Sequence, residues 1–289
     1  MARTSRLKKS GGTARYHLMS RTNDRRFLFT SGAVKTDLLD ALKRAAAFSG
    51  IALNAYTALD NHFHVVCTVE APSEPVPADE LVRRYRILYG GKRTEALLER
   101  WKGLEAAGFS AQLDEEHDRL RRRMNDISEF MKTFKEVFDR RFKRERKYTG
   151  SIWSGRFNST LIEGGEYFNR CKRYLQLNAV RAGIVTRAKD YLWTWCEDDG
   201  KCEGFAGSVP GSAGSVPEAA LLRRVPQIGA GKVFGSARFV LDVLFALGDR
   251  LSARHVSAHA VGTLGYSSHG WRLAKAEGAP AERPPGSFK

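Results

Sequence analysis

Residues 51–69 constrain the fold most. Ile51, Leu53, Ala55, Thr57 and Leu59 alternate along one strand, Asp60-Asn61 supplies a tight turn, and residues 62–69 return as a second alternating strand. Phe63, Val65, Cys67 and Val69 share one side of that second strand and His62, His64, Val66 and Thr68 the other, because side chains alternate along a strand. A hairpin with one apolar face needs a layer to bury it. The chain supplies one just before: a short strand over residues 16–20, then a helix over residues 34–48 with Val34, Leu38, Leu42 and Ala45 three and four apart, stopped by Ser49-Gly50. The order β-α-β-β results.

Further along, residues 79–123 are highly charged and read as two or three helices with weak apolar stripes. From Ile127 the pattern sharpens into an amphipathic helix, with Ile127, Phe130, Phe134, Val137 and Phe138 on one face and Lys132, Lys135, Arg140 and Lys143 largely off it. Trp153-Ser-Gly-Arg-Phe157 is a turn into a strand over residues 156–163, and Gly164-Gly165 opens a helix over residues 166–182. The expected class is α+β, a ferredoxin-like antiparallel sheet with helices packed on one face, plus a helical insertion and a small C-terminal helical region. The expected divisions are a flexible basic arm (1–12), a main domain (13–195) with an inserted helical segment (71–123), a Gly/Ser/Pro linker (196–217) with the duplicate Gly-Ser-Val-Pro, and an accessory helical region with a disordered tail (218–289).

Charge narrows the partner. The 289 residues carry a formal net charge of +16. Residues 1–30 hold eight basic side chains against one acidic, and residues 119–147 hold twelve against five, so two windows carry nearly the whole excess. Such clustering suits a polyanion, nucleic acid before an anionic membrane. No apolar run reaches the roughly 18 residues of a membrane span, and the start lacks a signal peptide's apolar stretch. Four cysteines without a CxxC pair argue against a disulfide framework and against zinc. A soluble protein of a reducing compartment is expected.

Two constellations carry chemistry. His62 and His64 leave one strand face together, and adjacent imidazoles can share a divalent cation. Tyr174 and Asn178, four apart on a helix, share a face that Arg181 continues. A phenol with a pKa of about 10 becomes a nucleophile only with help from a cation or from nearby Lys172, Arg173 or Arg181. His17 is read as a structural strand histidine, although it could approach the pair through the neighbouring strand.

Tyr16-His-Leu-Met-Ser-Arg21, Asp60-Asn-His-Phe-His64, Trp153-Ser-Gly-Arg-Phe157 and Tyr174-Leu-Gln-Leu-Asn-Ala-Val-Arg-Ala-Gly183 occur in an order that resembles the single-tyrosine HUH transposases, most closely their REP-associated tyrosine group. The resemblance covers residues 13–195. It implies the HUH endonuclease fold, with His62 and His64 as metal ligands, Asn178 completing the site, Mg²⁺ or Mn²⁺ as cofactor, and Tyr174 as nucleophile. The implied activity is metal-dependent nicking and joining of single-stranded DNA at hairpin or palindromic sequences through a 5′-phosphotyrosine. Arg156, Lys172, Arg173, Arg181, Lys132, Lys135, Arg140, Lys143, Arg21 and Arg25 are the expected DNA contacts. A homodimer is allowed for, with Tyr174 acting on its own or a partner's metal left open. The implied location is the bacterial cytoplasm, associated with the nucleoid. Asp60 and Ala179 stand where the family usually has Pro, and the 71–123 insertion is a larger departure. Two alternatives remain: a domesticated DNA-binding protein of the same fold without turnover, and a metal-dependent hydrolase using the His pair alone.

Overall fold

The computed structural model describes residues 7–8, 11–198, 233–236, 238–239, 242–243 and 260–262. Its first elements are β1 (Thr13–Arg21), α1 (Gly32–Ser49), β2 (Ala52–Ala58) and β3 (His62–Glu70). They form the split β-α-β and hairpin read from the sequence. Ser31 caps α1, its Oγ accepting from Val34 N at 3.3 Å, and Gly50 ends the helix in the left-handed region at φ 66°. A Cβ at Gly50 would meet Arg84 and Asn125 at 2.4 and 2.8 Å, so both conformation and space demand glycine there.

The insertion contains three helices, α2 (Ala78–Tyr89), α3 (Gly91–Ala106) and α4 (Ser110–Arg121). They add Leu81, Leu88, Trp101 and Leu120 to the main core. Next come α5 (Ile127–Arg146), β4 (Asn158–Ile162), α6 (Glu166–Gln176), a short α7 (Asn178–Arg181) and β5 (Thr194–Cys196). Asp126 caps α5 by accepting from the amides of Ser128 and Glu129 at 2.7 and 3.0 Å.

The sheet order is β5-β2-β3-β1-β4, continued by β6 (Val233–Gly235) and β7 (Ala260–Gly262). The five strands from β5 to β4 pair antiparallel, and β6 and β7 add in parallel. The order β2-β3-β1-β4 is that of a ferredoxin-like sheet. The α+β class and the layer of long helices on one face are as expected, with one addition. Helices α1 and α5 pack against Phe63, Val65 and Cys67, whereas Phe168, Cys171 and Leu175 of α6 pack with Ala55 and Val66 on the opposite face.

The alternation expected along β2 breaks at Asn54. Leu53 pairs with Cys67 but Ala55 pairs with Val66, so one extra residue bulges out. Leu53 therefore shares its face with Tyr56 and Ala58, and Ala55 turns to the α6 side. The arm is anchored where it is described: Leu7 is buried with Val233, and Lys8 pairs with Asp126. The C-terminal region, expected as helical, is helical at residues 238–239 and 242–243 and also contributes the strands β6 and β7; most of the expected linker and accessory region lies outside the described residues.

Trp153 closes the main core among Phe29, Phe63, Phe134 and Phe138, with ring centroids 5.6–6.3 Å away, and its Nε1 donates to Asp139 Oδ1 at 2.6 Å. The same loop bridges to the end of β1, since Trp153 pairs with Thr22 and Ser154 N donates to Arg21 O at 3.0 Å.

Candidate metal and tyrosine site

The α6 face of the sheet carries the polar residues. On β1, residues of one parity put His17 and Arg21 there; on β3, His62 and His64. His64 stands opposite Met19 and His62 opposite Arg21. Helix α6 is held over this face by Phe168, Cys171 and Leu175 at helical spacing, and it starts at Gly165, whose φ of 68° lets the chain turn straight from β4 into the helix. Tyr174, one helical step beyond Cys171, meets the histidines edge-on: its ring centroid lies 5.8 Å from His64 and 6.2 Å from His17. The Arg181 guanidinium covers the other part of the phenol at 5.2 Å.

The helix expected over residues 166–182 is interrupted at Leu177, but the bonds Leu177 N to Arg173 O and Arg181 N to Leu177 O carry it through. Tyr174, Asn178 and Arg181 thus keep one face. Asn178 is buried, and its Nδ2 has no hydrogen-bond partner. The orphaned atom is an N–H donor, so an acceptor such as a phosphate oxygen would complete it, whereas a cation would need the amide's Oδ1.

Each histidine is held differently. Asn61 Oδ1 lies 2.6 Å from His62 Nδ1. An amide oxygen can only accept, so His62 carries its proton on Nδ1 and keeps a lone pair on Nε2. The other end of the Asn61 amide, Nδ2, donates to Arg25 O at 3.1 Å and ties the basic turn to the His62 strand. His64 Nδ1 lies 2.8 Å from His17 Nε2 in a buried contact. Burial drives His17 down to about 4, and burial with the Arg21 charge does the same for His62. His64 falls well below its ordinary value through burial, then through His17, His62 and Arg21. All three imidazoles are therefore neutral at neutral pH, the state in which a ring nitrogen can bind a metal.

Among the described residues no three His, Cys, Asp or Glu side chains form a ligand cluster. A cation here would rest on the His62 and His64 imidazoles and on neutral oxygens such as the Asn178 amide, with water or phosphate filling the rest. The residues present fit that role, and two imidazoles suit Mn²⁺ better than the strictly oxygen-seeking Mg²⁺.

The expected DNA contacts divide. Arg21 lies at the site, where its charge reaches both His62 and His64. Arg25 is exposed in the adjoining turn at a left-handed φ of 56°, Arg156 is exposed in the Trp153 loop, and Arg173 is half-buried on α6. Lys172 is held differently from them. It is 6% exposed, and its ammonium is spent on Glu197 Oε1 at 3.0 Å and on Asp198 Oδ2. Burial alone would lower its pKa, but these two carboxylates outweigh it and raise the value. The basic residues of α5 do not share the histidines' side of the sheet. Phe134 packs on Phe63 at 5.1 Å, so α5 lies across the sheet from the histidines. Lys132, Arg140 and Lys143 are on that far side. Lys135 alone of the four is tied to the Trp153 loop, donating to Gly155 O at 3.2 Å and lying 4.8 Å from the Trp153 ring.

Two residues of the site were not assigned a part in it from the sequence, Asn61 and His17. The signal for each was local: Asn61 directly precedes the His pair, and His17 follows Tyr16 on a strand that had to pair with β3.

No family model matches the chain, and no curated protein matches it. Among solved structures, that of a REP-associated tyrosine transposase bound to a REP hairpin is similar at 16% identity and a TM-score of 0.43, over 75% of this chain and 98% of that one. No described helix is long and apolar enough to cross a membrane.

Proposed function

We propose that this chain is a metal-dependent single-stranded DNA endonuclease and strand transferase of the transposase type, with Tyr174 as its nucleophile and hairpin-bearing DNA as its substrate. The observation that supports this reading is the meeting of Tyr174 with His64 at 5.8 Å on a polar sheet face, under Arg181 and beside Arg21. The motif resemblance in the sequence points the same way.

In this mechanism Arg21 and Arg181 draw the scissile phosphate toward the His pair and offset its charge. The Tyr174 oxygen attacks phosphorus in line. The new O–P bond forms as the bond from phosphorus to the 3′ oxygen breaks; the phenol proton is lost to solvent, and the departing oxygen takes up a proton to leave a 3′-OH. The product is a 5′-phosphotyrosine, and attack by a 3′-OH reverses the step and joins strands with no external energy. A divalent cation bound by His62, His64 and Asn178 would supply Lewis-acid polarisation of the phosphoryl oxygen. The exposed Arg25 and Arg156 and the half-buried Arg173 would hold the flanking backbone.

The test is Tyr174→Phe assayed on a hairpin-bearing single strand with Mn²⁺. Nicking and the covalent adduct on a denaturing gel should both vanish while the fold is kept. A variant that still cuts and still forms the adduct overturns the mechanism.

A further inference from the structure

His17 faces His64 across the β1–β3 ladder, the two rings nearly parallel at 10° with centroids 5.0 Å apart. Both residues are 5% exposed, and His17 Nε2 lies 2.8 Å from His64 Nδ1. Two neutral imidazoles meeting nitrogen to nitrogen share one proton, so one ring donates and the other accepts. The direction decides what His64 can do. With His17 as donor, His64 carries its own proton on Nε2 and has no free lone pair. With His64 as donor from Nδ1, its Nε2 keeps the lone pair.

His62 is already in the second arrangement, because Asn61 Oδ1 accepts its Nδ1 proton. Two ligands presenting Nε2 to one ion need the same tautomer. We infer that His17 is a positioning residue: its Nε2 accepts the His64 Nδ1 proton and so holds His64 in the tautomer that offers Nε2 to a divalent cation. His17 then plays toward His64 the part that Asn61 plays toward His62, an outer hydrogen bond that sets tautomer and ring orientation. This rests on the metal site of the proposed function. The ladder itself delivers the arrangement: His17 pairs with Val66 and Met19 with His64, which sets the two imidazoles diagonally on one face.

Two measurements test it. In metal-free protein with ¹⁵N-labelled histidine, long-range ¹H–¹⁵N correlation should show His64 protonated at Nδ1 and bare at Nε2; protonation at Nε2 overturns the inference. In Mn²⁺ titrations without DNA, followed by calorimetry, His17→Phe should weaken binding by about 10–100-fold. His17→Gln, whose amide oxygen can accept the same proton, should recover most of that loss. If His64→Ala abolishes Mn²⁺ binding but His17→Phe binds as the wild type does, the inference falls and the proposed function stands. If the wild type takes up no Mn²⁺ at all, both fall.

Discussion

On one face of β3, Phe63, Val65, Cys67 and Val69 meet α1 and α5 in a continuous aromatic and aliphatic core; on the other, His62, His64 and Val66 meet a small cluster under α6. The two sets interleave in sequence and differ only in parity. The first face is closed by two long helices and by Trp153. The second is closed by one 11-residue helix and carries three neutral histidines, an arginine and a partnerless amide. A sheet covered on both sides can thus put stability on one surface and reactive groups on the other, because side chains one residue apart never compete for the same space.

The sharpest way to break this contrast is to damage the stabilising face. Phe134 is fully buried against Phe63, and Phe134→Ala should cost about 3–5 kcal/mol in urea unfolding. Tyr174→Phe on the other face should leave the unfolding midpoint nearly unchanged. A destabilisation by Tyr174→Phe as large as that by Phe134→Ala would show that the faces are not divided as described.

Acid tests the histidine face next. His17 and His62 take up protons at about 4 when folded but near 6.5 when unfolded. Between those values the unfolded chain holds more protons, so stability is full above pH 6.5 and falls as pH drops toward 4. From pH 6.5 to 5.5 the loss should be about 1 kcal/mol for each of the two, and His64 moves in the same direction. Urea midpoints of metal-free protein at the two pH values measure it, and a flat profile would mean that the imidazoles are not buried as described.

The smallest effect separates structural from binding charge within α6. Lys172→Met should lose the Glu197 and Asp198 pairs at a cost of about 1–2 kcal/mol, since both carboxylates are only about two-thirds buried. The salt dependence of single-strand binding should not change, whereas Arg21→Ala should flatten it. An altered salt slope in Lys172→Met would return that residue to the DNA contacts.

Much of this was legible in the sequence for identifiable reasons. The β-α-β-β order followed from strict alternation at 62–69, from helical spacing at 34–48 and from the Gly50 stop. The His pair and Tyr174 were readable because strand and helix periodicity sends each set to one face. The bulge at Asn54 was not legible, since the alternating apolar pattern of 51–59 fits an unbroken strand equally well, and only pairing with β3 displaces one residue. Lys172 looked like the other basic residues of its helix until Glu197 and Asp198, brought in by β5, enclosed it. The basic helix α5 showed its amphipathic split but not its side of the sheet, because periodicity names the buried face without naming what it is buried against.

The sequence by itself determined the element types, the residues that leave each strand and helix together, and the chemical character of the site, all set by contacts within a few residues. Only the tertiary structure decided that α6 crosses to the face opposite α5, that the strand 233–235 joins the sheet beside β4, and that His17 meets His64. Those outcomes depend on which apolar surfaces find each other across tens to hundreds of residues, and on a pairing register that local propensity does not encode.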